Sequence, residues 1–120
     1  MKLLIVDDEV PARERLHRLV DEIGDCQVVA EAGNGNEALT YCDALRPDVV
    51  LLDVRMPGGG AEMASAIAEA HPSTAVVIVT GFPEDILKLS GAFTILPKPF
   101  DGEGVRSSLE LRRAPVIVSS

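Results

Sequence analysis

Three aspartates stand where short apolar segments end. Asp7 and Asp8 directly follow the apolar run at residues 3–6, and Asp53 directly follows the run at 49–52. Such runs are typical of strands covered on both faces, and the carboxyl ends of parallel strands meet at one edge of a sheet. Three carboxylates at such an edge would raise one another's pKa values or bind a cation. Oxygen ligands in an open, partly hydrated site favour Mg²⁺.

A hydroxyl and an amine follow two further apolar segments. Thr80 directly follows the apolar run at 76–79, and Lys98 comes shortly after a weaker strand candidate at 93–96. Prolines on both sides of Lys98 keep its backbone stiff and extended. A cation held there can pair with a carboxylate or with a phosphoryl oxygen. Together these groups favour a metal-assisted phosphoryl site over the alternative, in which one aspartate caps a helix and the others are solvated loop residues.

The elements that must position these groups alternate along the chain. Strand candidates alternate with amphipathic segments that have helical spacing, and this order predicts a parallel sheet with helices on both faces and right-handed crossovers. One more strand candidate, a weak one at 28–30, lies between the runs at 3–6 and 49–52 and brings the total to five. The helices are predicted at 12–23, 38–45, 63–70, about 84–90 and 105–113.

Residues outside this edge have simpler interpretations. Arg13, Arg15 and Arg18 lie largely off the apolar stripe of the first helix and are interpreted as a solvated face. Two histidines, at 17 and 71, are interpreted as surface residues, and the cysteines at 26 and 42 as small buried side chains.

Composition limits the classes of protein that fit. The chain has 120 residues, 47% hydrophobic, which suits one packed domain. Its formal net charge of −8 and 3% aromatic content predict that this chain does not bind nucleic acid directly. It lacks the roughly 20-residue apolar run of a membrane helix, so no membrane partner is expected. Acidic residues from Asp7 onward exclude a signal peptide and predict a cytoplasmic protein.

Four motifs in order carry a family resemblance. The segments LIVDDE at 4–9, LLDVRMP at 51–57, VTG at 79–81 and LPKPF at 96–100 resemble the response-regulator receiver domains of two-component signalling. The resemblance covers residues 1–113 and leaves 114–120 as a C-terminal tail. We interpret that tail as the start of a linker, with an extra edge strand or a docking segment as alternatives. Residues 12–16 and 31–35 are also similar to receivers that precede LytTR-type DNA-binding domains.

The resemblance implies a fold and a role for each site residue. The fold would be a three-layer, doubly wound α/β sandwich with a five-stranded parallel sheet in the order 2-1-3-4-5, as in flavodoxin-like receivers. The protein would be a signalling phosphoacceptor and not a turnover enzyme. Its partner would be a sensor histidine kinase or a phosphotransfer protein, and it could form a homodimer. The implied roles are Asp53 as phosphoacceptor, Asp7 and Asp8 as Mg²⁺ ligands together with Asp53 and the Arg55 backbone carbonyl, Thr80 as switch hydroxyl and Lys98 as phosphoryl-binding amine.

The sequence departs from that family pattern in three places. Ile95 stands where most receivers have Tyr or Phe, the loop at 58–61 is rich in glycine, and the helix at about 84–90 is short. These departures keep open an alternative: a receiver-like interaction module that works without phosphorylation. A further alternative is a small Mg²⁺-dependent phosphohydrolase with an aspartyl nucleophile, which would use Asp7 and Glu9.

Overall fold

Strands and helices alternate along most of the described chain. The computed structural model describes residues 1–56, 59–81 and 94–113, with side chains as far as residue 110. The helix predicted at about 84–90, Phe82, Phe93, Gly58 and the tail at 114–120 lie outside the described residues. The elements are β1 Lys2–Val6, α1 Val10–Ile23, β2 Gln27–Ala32, α2 Gly35–Leu45, β3 Val49–Asp53, α3 Gly60–Ala70, β4 Ala75–Thr80, β5 Thr94–Pro97 and α4 Gly102–Arg113.

All five strands form one parallel sheet in the order β2-β1-β3-β4-β5. The predicted architecture and strand order are thereby confirmed. The register pairs Val6 with Leu52, Asp53 with Val79, and Thr80 with Pro97. Because the strands run in the same direction, the residues that follow β1, β3, β4 and β5 share one edge of the sheet.

The core is divided into two clusters by the sheet, which makes three layers. Side chains of α1 and α4, such as Leu16 and Leu109, pack on one face, whereas Ala38 of α2 and Ile67 of α3 pack on the other. All five residues of β3 are buried, as expected for a central strand covered on both sides. In the part of the chain that the structure describes, no helix is long and apolar enough to cross a membrane.

Helix α3 begins three residues earlier than its apolar pattern predicts. Gly59 has φ = +89°, a conformation that favours glycine, and the helix starts at Gly60. A Cβ atom on Gly60 would collide with the backbone carbonyl of Val54. Gly59 and Gly60 therefore allow α3 to begin close to Val54, and this close approach leaves no mark in hydrophobic periodicity.

Two interpretations of isolated residues need correction. His71 is buried, not at the surface: it is 6% exposed, its Nε2 lies 2.8 Å from Asp43 Oδ1 and its Nδ1 lies 3.3 Å from Arg46 Nη1. Cys42 is fully buried as predicted, whereas Cys26 is only half-buried. None of these histidine and cysteine side chains lies beside the three aspartates of the predicted site, so the corrections do not alter that site.

Candidate functional site

Asp7 ends its strand in a tightly bonded position. Its backbone N–H donates to the Ala32 carbonyl of β2 at 3.0 Å, and its Oδ1 accepts the Glu9 N–H at 2.9 Å. The residue is 2% exposed, whereas the adjacent Asp8 is exposed. One member of the acidic pair is therefore fixed in the protein, and the other faces solvent.

Asp53 is the last residue of β3 and is also nearly buried, at 8% exposure. Its Oδ1 accepts the Arg55 N–H at 2.9 Å, and its Oδ2 lies 3.3 Å from Lys98 Nζ. The backbone N–H holds the carboxylate in one orientation, and the amine places a positive charge beside it. The Lys98 side chain is 40% exposed, so this amine is accessible to a ligand.

The three aspartates meet as predicted. One carboxylate oxygen from each of Asp7, Asp8 and Asp53 lies within 4.8 Å of the other two. Among the described residues this is the one group of three or more acidic, cysteine or histidine side chains that could share a metal ion. The donors are all oxygen atoms and the site is partly open, so the residues fit a hard divalent cation such as Mg²⁺.

Burial, together with the neighbouring acid, raises the proton affinity of Asp7. Burial, and then the negative charge of Asp53, raise the pKa of Asp7 from 3.8 to about 6, although the Glu9 N–H and Lys98 lower it. Ionisation of Asp7 is therefore harder than that of a free aspartate in the absence of a cation. A divalent ion between the carboxylates would remove this conflict, which is a second reason that the site fits a metal.

The backbone of β4 and β5 brings Lys98 to this edge. Its N–H donates to the Thr80 carbonyl at 2.8 Å, which continues the pairing of the two strands. A Cβ atom on Gly81 would lie 3.3 Å from the Lys98 Cβ, so the glycine leaves room for the lysine stem. Thr80 is buried at the end of β4, and the exposed Arg55 follows β3. Each sequence-predicted residue thus lies at the same edge as Asp53.

We expect Asp7→Asn to stabilise the metal-free protein at neutral pH. The folded pKa of about 6 exceeds the unfolded value of 3.8, so the folded state binds the Asp7 proton more tightly. The wild type therefore loses stability as the pH rises from about 4 to about 6, and the loss is complete above that window. The asparagine variant should be more stable at about pH 7 by at most about 3 kcal/mol.

Urea unfolding in EDTA at several pH values measures this difference in the free energy of unfolding. The difference should shrink toward about pH 4, where the wild-type acid is protonated. Glu14→Gln, which neutralises an exposed acid of α1, is the control and should change stability little. A variant no more stable than wild type at neutral pH contradicts the prediction.

The sequence interpretation missed the contacts of two arginines. Arg15 is exposed, but its Nη2 donates to the Phe100 carbonyl at 2.7 Å and its guanidinium carbon lies 5.2 Å from the centre of the Phe100 ring. Arg13 contacts the backbone of Asp7. The expected solvated face is therefore wrong for Arg13, whose side chain is only 18% exposed, whereas Arg15 and Arg18 are exposed as predicted. Beside Asp7 and Lys98, residues of α1 and Phe100 line a cavity of about 370 Å³.

Comparison with known proteins agrees with this geometry. The family model described as "Response regulator receiver domain" matches residues 3–110. The positive alginate biosynthesis regulatory protein of Pseudomonas aeruginosa is 42% identical over 119 residues, which cover 96% of this chain and 48% of that protein. The chemotaxis protein CheY of Listeria monocytogenes is 38% identical over 116 residues, which cover 92% of this chain and 96% of that protein.

Solved structures show the same architecture. The chemotaxis protein CheY4 of Vibrio cholerae has a TM-score of 0.80 and 29% sequence identity, with 92% of this chain and 96% of that one covered. This chain spans about half the length of the alginate regulator and of an uncharacterised response regulatory protein of Yersinia pestis, which is 36% identical.

Proposed function

The chain belongs to the response regulator receiver domain family, and from that membership we propose that it is a switch phosphorylated on Asp53. The phosphoryl group comes from the phosphohistidine of a sensor histidine kinase or of a phosphotransfer protein. One observation carries the proposal. Asp53 lies 3.3 Å from the Lys98 amine, and one of its oxygens is within 4.8 Å of oxygens of both other aspartates.

The chain's own residues orient the transfer. A carboxylate oxygen of Asp53 forms the new P–O bond as the P–N bond of the phosphohistidine breaks, and the electron pair of that bond returns to the imidazole nitrogen. The Arg55 N–H keeps the carboxylate in its observed orientation. Lys98 moves from the carboxylate to a phosphoryl oxygen and offsets its charge. Asp7, Asp8, Asp53 and the Arg55 carbonyl would hold Mg²⁺, which neutralises charge on the transferring group when bound.

The product is an acyl phosphate, which water later hydrolyses to return the aspartate and release phosphate. The new phosphoryl group adds charge and acceptor oxygens at one point of the sheet edge. The Thr80 hydroxyl then bonds one of these oxygens and biases an equilibrium between two conformations of the domain.

From the same family membership we infer where the protein acts and with which partners. The protein acts in the cytoplasm as a signalling component and not as a turnover enzyme, with the kinase as its first partner and a second copy of the chain as a further candidate. Its net charge of −8 opposes direct binding of this domain to nucleic acid. No membrane partner is part of the proposal.

Intact-mass spectrometry with a small phosphodonor tests the proposal. Incubation with acetyl phosphate and Mg²⁺ should add one phosphoryl group to the protein, and EDTA should abolish the adduct. Size-exclusion chromatography of both samples then reports whether the adduct changes the oligomeric state. If acetyl phosphate and a cognate kinase both fail to produce the adduct, the proposed phosphotransfer is wrong.

One observation favours the phosphorylation-independent module as the second candidate. Ile95 is half-buried and packs against the core cluster on the α2–α3 face, where most receivers would have an aromatic ring. A branched aliphatic side chain cannot present such a ring to a partner. Partner binding that is indifferent to Mg²⁺, phosphodonor and Asp53→Asn would favour this candidate over the first.

A further inference from the structure

Arg13 connects the first helix to the acidic site. It is the fourth residue of α1, and its side chain is only 18% exposed. Its Nη1 donates to the backbone carbonyl of Asp7 at 2.7 Å, a short bond between a charged donor and a peptide oxygen. Bonds of this kind stabilise more than neutral ones, so the contact is strong enough to fix a local backbone orientation.

The accepting carbonyl belongs to the peptide group that joins Asp7 to Asp8. The plane of this peptide sets the directions in which the two carboxylates leave the backbone. The Asp7 N–H is already bonded to Ala32, and the Asp7 side chain to the Glu9 N–H. The Arg13 bond fixes the oxygen of the following peptide, which these other bonds do not hold.

Glu31 of β2 holds the guanidinium in place. Its Oε1 lies 3.3 Å from the buried Arg13 Nε, an ion pair without hydrogen-bond alignment. Its Oε2 lies 2.9 Å from His17 Nδ1, one helical turn further along α1. The glutamate therefore joins α1 to β2 and restrains the arginine.

We propose that Arg13 is a positioning residue that sets the affinity of the aspartate site for Mg²⁺, with Glu31 as its support. The inference rests on the proposed function for the identity of the ion. Partners that orient metal ligands typically change metal affinity by 10–100-fold when they are removed. Arg13 acts through the Asp7–Asp8 peptide and does not touch the ion or the phosphoryl group.

Two measurements on the full chain test Arg13→Met, which keeps an apolar stem but removes the donor. Calorimetric titration with MgCl₂ should show about tenfold weaker binding than wild type. NMR should show that the Glu9 amide exchanges with water faster by about an order of magnitude, because the loop it stabilises has lost a charged hydrogen bond. Saturating Mg²⁺ should restore phosphorylation by acetyl phosphate to nearly the wild-type rate, which a general loss of folding would not allow.

Two further variants define the mechanism. Arg18→Met removes an exposed arginine of the same helix and should bind Mg²⁺ as wild type does. Glu31→Gln should weaken binding less than Arg13→Met. If Arg13→Met binds Mg²⁺ as tightly as wild type, the inference is overturned, whatever the rate of Glu9 exchange. Wild-type protein that does not bind Mg²⁺ would contradict the proposed function instead. Glu9 exchange then decides the positioning role of Arg13: faster exchange in Arg13→Met supports it, and unchanged exchange overturns it.

Discussion

Asp53→Asn is expected to abolish the phosphoryl adduct completely. The amide has nearly the shape of the carboxylate and can still accept the Arg55 N–H through its oxygen. It has no negative charge, however, and an amide is too weak a nucleophile to form the new P–O bond. The fold should survive, so a missing adduct reports on the chemistry.

Intact-mass analysis with acetyl phosphate and Mg²⁺ measures this loss directly. Asp25→Asn is a matched control, because Asp25 is exposed and contributes its backbone carbonyl, not its side chain, to the bond with the N-terminus. That variant should form the adduct as wild type does. An adduct of equal yield on Asp53→Asn would move the acceptor to another residue and end the assignment of Asp53.

Lys98→Met is expected to slow phosphorylation by about 100-fold, the effect typical of removing one charged or hydrogen-bonding group that stabilises a transition state. The amine lies 3.3 Å from Asp53 Oδ2, where it can offset the negative charge first of the carboxylate and then of the phosphoryl oxygens. Because its side chain is 40% exposed, the ion pair contributes little to folding, and the variant should remain folded.

The rate of adduct formation at saturating Mg²⁺ measures this effect. Lys2→Met is the control, since the Lys2 amine donates to the Leu45 carbonyl at the other end of the sheet. It should react at the wild-type rate. A Lys98→Met protein that reacts as fast as the Lys2 control would show that the lysine has no part in the transfer.

The parallel sheet and the proximity of the aspartates could be predicted, because both follow from the direction in which the buried strands run. Apolar runs such as 3–6 and 49–52 identify buried parallel strands, and parallel strands bring Asp7 and Asp53 to one edge whatever the loops between them do. The structure confirms the fold and brings these carboxylates together with Lys98. The chemical roles assigned to them stay predictions.

The contacts of Arg13 and His71 could not be predicted in the same way. Arg13 lies off the apolar stripe of its helix, and a side chain in that position normally faces water. It bonds inward because Glu31, 18 residues further along the chain, is brought beside it by the pairing of β1 and β2. His71, which follows α3, is buried and contacts Asp43 of α2 and Arg46, the residue after α2. Periodicity reports the face of an element and not which side chains meet across elements.

The raised proton affinity of Asp7 has a consequence for protein engineering. A buried acid that resists ionisation lowers the heat tolerance of the chelator-treated domain, so substitutions that neutralise it are improvements by that measure alone. A directed-evolution campaign that selected chelator-treated protein for survival of heating would therefore enrich variants without the Asp7 carboxylate, which the proposed function needs as a Mg²⁺ ligand. A screen for phosphorylation in every round would retain the Asp7 carboxylate although it lowers the stability of the metal-free protein.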